Sequence, residues 1–152
     1  MILDETDKKI LRLLQVDAHL TLKDIANKIN LSLTPVHDRV KRLVKEGLIE
    51  KYVSKLNKKK LGNNLMENCQ VTLSKQTYDV SEGFNQSIMN MPEVVECNFI
   101  SGSFDYMLKI ILPDMESYHY FHQKKLSVLP EVSLINSFFI ISVVKSTTVL
   151  PI

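Results

Sequence analysis

In the segment "LTPVHDRVKRLVKEG", Thr34, His37, Asp38 and Lys41 recur at i, i+3, i+4 and i+7, so a helix there presents all four on one face. A hydroxyl, an imidazole, a carboxylate and an ammonium offer donors and acceptors together, the set needed to read base edges in a major groove. Arg39, Arg42 and Lys45 flank that face as flexible cations of the kind that position a protein on phosphates. The bland alternative is the solvated face of an ordinary helix. A second stretch, "ISGSFDYMLKI", places Asp105 just after a turn centred on Gly102 and just before a bulky, largely apolar run. A turn needs only the glycine, so the carboxylate is either turn decoration or one wall of a pocket.

The elements that must carry these residues can be read from apolar spacing and capping residues. "LDETDKKILRLL" opens on Asp4 as an N-cap, has Glu5 and Asp7 in the first turn, and repeats Ile10, Leu13 and Leu14, which predicts a helix to about Gln15. Thr21, with Asp24 three residues on, caps a short second helix striped by Leu22, Ile25, Ala26 and Ile29. Asn30 and Leu31 break the chain, Ser32 or Thr34 caps the third helix, and Pro35 falls in its first turn, where a missing N–H removes no helical bond. Val36, Val40 and Leu43 form its inward stripe and Gly47 is a natural C′ residue. Two short helices joined in this way make a helix-turn-helix. A short strand, Ile49 to Lys55, and a basic connector with Lys58, Lys59 and Lys60 are expected to follow; those lysines touch DNA backbone or merely keep a hinge soluble.

Charge supports the same division. Residues 1–62 hold 14 Lys and Arg against 8 Asp and Glu, whereas residues 63–152 hold 5 against 9, so the basic first part is the candidate for a polyanion partner. The chain of 152 residues, 45% hydrophobic, is globular and long enough for one domain or two small ones. No run of roughly 20 apolar residues offers a membrane span, and the acidic start is unlike a signal peptide, so a cytoplasmic, nucleoid-associated location is expected. Cys69 and Cys97 stand far apart in strand-like sequence and read as core thiols. His119 and His122 share a metal-compatible spacing, but without a supporting carboxylate or Cys pattern they read as surface histidines. No Ser-His-Asp order, Gly-rich phosphate loop or paired-carboxylate motif stands out, so neither an enzymatic activity nor a metal or cofactor is expected.

Residues 65–144 read strand, helix, strand, strand, helix, strand. "LMENCQVTLS" precedes a helix striped by Val80, Phe84, Ile88 and Met91 and ended by Pro92; "VVECNFIS" and "DYMLKIIL" are read as the central pair around Gly102. Asp114 caps "MESYHYFHQKKLSVL", with Met115, Tyr118, Phe121 and Leu126 inward, and a last strand runs from Val132 to Val144. This is an α+β chain: an N-terminal helix-turn-helix, winged-helix-like, plus a C-terminal ferredoxin-like βαββαβ domain. The expected divisions are residues 1–48, a strand and basic hinge at 49–63, and the sheet domain at 64–152. In the last strand Phe138, Ile140 and Val144 are as apolar as Phe139, Ile141 and Val143, so both faces require burial and a symmetric, sheet-on-sheet dimer is expected. A dimer places two recognition helices on successive half-sites of a pseudo-palindromic operator.

Taken in order, "LDETDKKILRLLQVDA", "LKDIANKINLSLTPVHDRVKRLVKEGLI", "YVSKLNKKKLG", "SGSFDYML" and "VVKSTTVLP" resemble the leucine-responsive/asparagine regulators, the Lrp/AsnC or feast/famine family of transcriptional regulators. The resemblance runs nearly end to end. It implies dimers that assemble into octamers or similar rings, and a small effector, an amino acid, bound between subunits. In that family the mid-chain loop meets the effector's ammonium and carboxylate ends, and the last strand of a neighbouring dimer completes the pocket. Carried over by position, the implied effector residues are Ser101, Gly102, Ser103, Phe104, Asp105 and Tyr106, with Ser137 from the neighbour. Ser103 and Phe104 stand where the family commonly has Asp and Tyr, and Ile135 where Thr is frequent. The expected function is a DNA-binding transcriptional regulator that responds to an amino acid through its assembly. Alternatives are an effector-independent architectural DNA-binding protein, or an amino-acid-sensing regulatory subunit without DNA binding.

Overall fold

The computed structural model describes residues 3–152; Met1 and Ile2, which open the predicted DNA-binding domain, lie outside them. The chain divides into two compact units, one comprising the chain up to Lys55 together with Val144–Ile152, the other Leu56–Val143.

The first unit is trihelical: α1 Glu5–Leu14, α2 Leu22–Ile29 and α3 Leu33–Lys45. Reciprocal capping boxes start α1 and α2. The Asp4 carboxylate accepts from the Asp7 N–H at 2.8 Å while Asp7 accepts from the Asp4 N–H, and Thr21 and Asp24 repeat the pattern. The Thr21 hydroxyl, foremost, holds the Asp24 carboxyl below its ordinary range. Ser32 is the N-cap of α3, but its side chain makes no capping bond. Asn30 takes the left-handed conformation at φ 55°, and Leu31 N–H returns to the Ala26 carbonyl, so the break between α2 and α3 is a glycine-free helix stop. At the end of α3, Gly47 sits at φ 76°, with Gly47 N–H bonded to Val44 O and Leu48 N–H to Leu43 O, a Schellman ending. Ile10, Leu14, Ile25, Ala26, Val36 and Leu43 are buried at the centre, with Leu13, Ile29 and Val40 packed around them.

The second unit carries a four-stranded antiparallel sheet in the order β2-β3-β1-β4, with β1 Leu65–Leu73, β2 Val94–Phe99, β3 Tyr106–Leu112 and β4 Val132–Phe139. Helix α4 spans Tyr78–Met89, and α5 spans Met115–Phe121 and continues as a π-helical turn over His122–Leu126. This is the expected ferredoxin-like order. Burial alternates cleanly along β3, where Tyr106, Leu108, Ile110 and Leu112 face the core, and Cys69, Val71, Leu73, Phe84, Ile88, Phe121 and Leu126 complete it.

Several expectations are corrected. Residues 49–55 form no strand, because an extended segment becomes one only when a ladder partner takes its N–H and C=O groups, and this segment has none among the described residues. The last strand ends at Phe139 rather than Val144. The chain beyond Val143 packs with the helices: Gln15 brackets Leu150 through hydrogen bonds of 3.0 and 2.9 Å, and Arg12 donates to the Ile152 carbonyl at 2.7 Å. β2 is an edge strand; the central pair is β1 and β3. Met115, expected inward, is exposed. The sheet face away from the core is mixed rather than uniformly apolar, with Met66, Met107, Leu134 and Phe138 beside Asn68, Gln70, Thr72, Asn136 and the Lys109–Glu96 ion pair.

Candidate functional site

Helix α3 presents Thr34, His37, Asp38 and Lys41 to solvent together, as their spacing requires. His37 Nδ1 lies 3.2 Å from the Asp38 carboxylate. Lys41 and Lys45 line a shallow groove with Asp38, Arg42 and Glu46, and neither lysine forms an ion pair among the described residues. The two arginines behave differently. Arg39 bridges Asp4 at 2.6 Å and Asp7 at 2.7 Å, and Arg42 reaches the other Asp7 oxygen at 2.6 Å. Asp7 is only 1% exposed, so the first-turn carboxylate of α1 is a buried hub that fixes the roll of α3. Arg39 is thereby held against α1, half-buried, while Arg42 shares the same carboxylate and stays exposed. The pKa of Arg39 is raised by the hydrogen bonds to Asp4 and Asp7, while the Asp7 N–H, and then Arg39, hold the Asp4 carboxyl below the usual carboxylate range. The hub went unforeseen because a first-turn acid is fully explained by the helix dipole, and nothing in spacing alone ties residue 7 to residues 39 and 42.

The loop from Ile100 to Asp105 closes on itself, with Ile100 N–H bonded to Asp105 O at 2.8 Å. It is a five-step loop rather than a tight turn. Gly102 is not in the left-handed region, and a Cβ there would meet nothing, so the loop does not depend on that glycine. Asp105 is 95% buried and its carboxylate is already occupied: it accepts from Leu73 N–H at 2.7 Å and from Gln76 Nε2 at 2.9 Å, while its own N–H donates to Val71 O. It therefore pins the loop to the end of β1. A carboxylate has about four lone-pair sites, so two accepted bonds leave acceptor capacity.

A cleft of about 380 Å³ lies under this loop, lined by Leu73, Gln76, Ser81, Phe99, Ile100, Ser101, Gly102 and Asp105. Small-molecule sites span roughly 300–1,000 Å³. Of the implied effector residues, Ser101, Gly102 and Asp105 line it; Tyr106 lines an adjoining groove with Cys97, Phe99 and Tyr78; Ser103, Phe104 and Ser137 line neither. Ser137 is instead paired across from Cys69 on β4. Leu73, Gln76, Ser81 and Phe99 were not foreseen. Only the two-residue alternation of β1 could have pointed to Leu73; Gln76 comes from the β1–α4 connection and Ser81 from the first turn of α4, and neither stands in a motif.

His122 is not the surface histidine expected. It is buried on the π-helical turn, 3.0 Å from Glu67 Oε2, and stacked against Tyr118. His119 is exposed, as expected. Cys69 is buried in the core, and desolvation, followed by the nearby Glu67 carboxylate, pushes its thiol up to about 12. Cys97 is exposed rather than a core thiol, since β2 lies at the sheet edge.

Comparison with known proteins bears on both units. Residues 3–50 match the family model described as winged helix-turn-helix DNA-binding, and residues 68–150 match the Lrp/AsnC ligand binding domain. The chain is 38% identical over 152 residues to the transcriptional regulator AzlB of Bacillus subtilis, covering 100% of this chain and 97% of that one. It is 35% identical over 145 residues to the leucine-responsive regulatory protein of Escherichia coli K12, covering 95% and 88% respectively. Among solved structures, a transcriptional regulator from Neisseria meningitidis in complex with L-Met superposes with a TM-score of 0.95 at 31% identity, covering 99% of this chain and 97% of that one. No described helix is long and apolar enough to cross a membrane.

Proposed function

Because the chain belongs to the Lrp/AsnC family, as a DNA-binding transcriptional regulator with a ligand-binding domain and not an enzyme, we propose that it senses a free amino acid and converts binding into a change of assembly on DNA. The observation that carries this reading is the cleft beneath the Ile100–Asp105 loop, whose buried carboxylate retains acceptor capacity for an ammonium group. The likeness to a regulator solved with L-Met supports an amino acid as the ligand class. Ser101, Gly102 and Asp105 make the first contacts, with Tyr106 beside them. Ser103 and Phe104, on the same loop, adjoin the cleft without lining it, and Ser137 joins it from a neighbouring chain.

Assembly itself is supported by the apolar residues left exposed around the sheet, among them Val95, Phe99, Leu134, Phe138 and Phe139. Two chains pair through the open sheet face, and dimers associate further toward an octamer. An effector bound at such a junction acts only through different affinities for two arrangements, which space the recognition helices differently along the duplex. On DNA, Thr34, His37, Asp38 and Lys41 read bases, and Lys45 and Arg42 meet phosphates; Arg39 acts indirectly by setting the roll of α3.

The DNA half of the proposal is tested by binding isotherms over a range of salt concentrations with the Lys41→Ala, Lys45→Ala double variant. For every phosphate the variant no longer neutralises, the slope of log K against log salt is expected to fall by about 0.9. An unchanged slope and affinity would remove α3 from the DNA interface.

A further inference from the structure

The core of the sheet unit holds a polar group that neither DNA binding nor effector sensing uses. Glu67 and Cys69 project from successive inward positions of β1, and His122 meets them from the first residue of the π-helical turn. One donor atom from each of these residues lies within 4.8 Å of the other two. Glu67 is fully buried, and His122 and Cys69 are at least nine-tenths buried. Glu67 Oε2 is 3.0 Å from His122 Nε2, but Oε1 has no hydrogen-bond partner among the described residues. The Cys69 thiol lies beside the Glu67 carboxylate and the Ser137 hydroxyl, and has a long contact to the Gln70 carbonyl at 4.0 Å.

A simple His–Glu pair leaves this arrangement unexplained. It leaves Glu67 Oε1 with no partner stronger than the neighbouring thiol, a weak donor, and it places that thiol against a carboxylate that cannot favour its ionisation. The α5 helix also departs from α geometry just where His122 enters: Ser127 N–H bonds to His122 O five residues back. Such π turns concentrate at functional positions because they re-aim a side chain that a regular helix would point elsewhere.

We propose that Glu67, Cys69 and His122 form a binding site for a borderline divalent metal ion of the zinc class. Thiolate, imidazole and carboxylate are the three donor types zinc takes, and in a tetrahedral site their donor atoms stand about 3.5 Å apart, a spacing small side-chain rotations reach from the present one. Charge favours the assignment: a divalent cation with one carboxylate, one thiolate and a neutral imidazole sums to zero, the condition for burying a charge cluster without a counter-ion. Zinc would take up the orphaned Glu67 oxygen and the Cys69 sulfur together, with the thiol proton released to solvent. A water fills the fourth position, as in zinc sites with three protein ligands. The site ties β1 to α5 within the sheet unit and needs neither DNA nor amino acid.

The test is a titration of the reduced, metal-stripped full chain with Co(II), followed by Zn(II). The expected result is one Co(II) per chain with a thiolate-to-cobalt charge-transfer band and tetrahedral visible bands, both abolished by Zn(II). Cys97→Ser retains the spectrum, Cys69→Ser loses the charge-transfer band, and His122→Gln weakens Co(II) binding by more than about tenfold. No charge-transfer band in the wild-type chain at equimolar Co(II) would overturn the proposal. So would a band that survives Cys69→Ser, or one that disappears with Cys97→Ser. Should Cys69→Ser fail to fold, the wild-type and His122→Gln spectra decide alone.

Discussion

The two units of this chain solve the same problem with different materials. The helical unit centres on six buried apolar residues and adds reciprocal caps on two helices and a buried carboxylate holding two arginines. The sheet unit centres on eleven, closed by the Phe84–Tyr106 contact, and uses its buried carboxylates locally: Asp105 ties down a loop and Glu67 meets His122. A small trihelical core has little area to bury, so directional polar contacts carry a larger share of its definition. In the sheet, packing dominates. The contrast also divides the functional surfaces: a rigid helix face held in roll by ion pairs suits base reading, and a loop pinned at one carboxylate suits a ligand cleft.

Phe84→Ala is the sharpest way to break the packing side of the comparison. Removing a fully buried aromatic should cost about 3–5 kcal/mol, read as a shift of the denaturation midpoint followed by far-ultraviolet circular dichroism. Asp7→Asn attacks the polar side. It leaves two guanidinium groups without their shared partner and should cost about 1–3 kcal/mol, less than a fully enclosed pair because both arginines reach solvent; denaturation of the full chain followed by α-helical signal measures it. A loss as large as that of Phe84→Ala would contradict the ranking of the two units.

The smallest changes separate two glycines. Gly47, at φ 76°, should lose roughly 1 kcal/mol on conversion to Ala because a Cβ disfavours the left-handed region. Gly102→Ala should fall within about 0.5 kcal/mol of the wild type, since its φ is ordinary and its surroundings are open. Paired thermal-melt curves of the two variants give the answer.

These positions also mark what the sequence could and could not disclose. Caps, inward stripes and the Gly47 stop were legible because each is a local rule satisfied within a few residues: Asp4, Thr21, Asp24, Pro35 and Gly47 stand where the spacing put them. The succession of strands and helices emerged from alternation and apolar stripes, but the central position of β1 did not. What failed was non-local. Residues 49–55 have strand-forming composition but no ladder partner among the described residues, and Val144–Ile152 continues an apolar pattern yet is held by Gln15 and Arg12. His122 looked superficial because it was weighed only as a partner of His119, although it stands four residues after the inward Tyr118 and so meets Glu67. The solvent-facing set on α3 was readable from i, i+3, i+4 and i+7 alone, but the pairing of Arg39 with Asp4 and Asp7 required the packing of α1 against α3. The Ile100–Asp105 loop was singled out through the family resemblance; its physical anchor, the bonds that Asp105 accepts from Leu73 and Gln76, was not legible.

The central claim is that amino-acid binding and DNA binding are thermodynamically linked in this chain. The most direct measurement is the affinity of the full-length protein for a fixed operator fragment, by fluorescence anisotropy at constant salt, in the absence and presence of each of the common amino acids in turn. At least one should shift the apparent Kd by roughly 5–150-fold, the range of ordinary coupling energies, and the same amino acid should change the sedimentation profile of the free protein. Isotherms that superimpose for every amino acid, with DNA binding intact, would contradict the account.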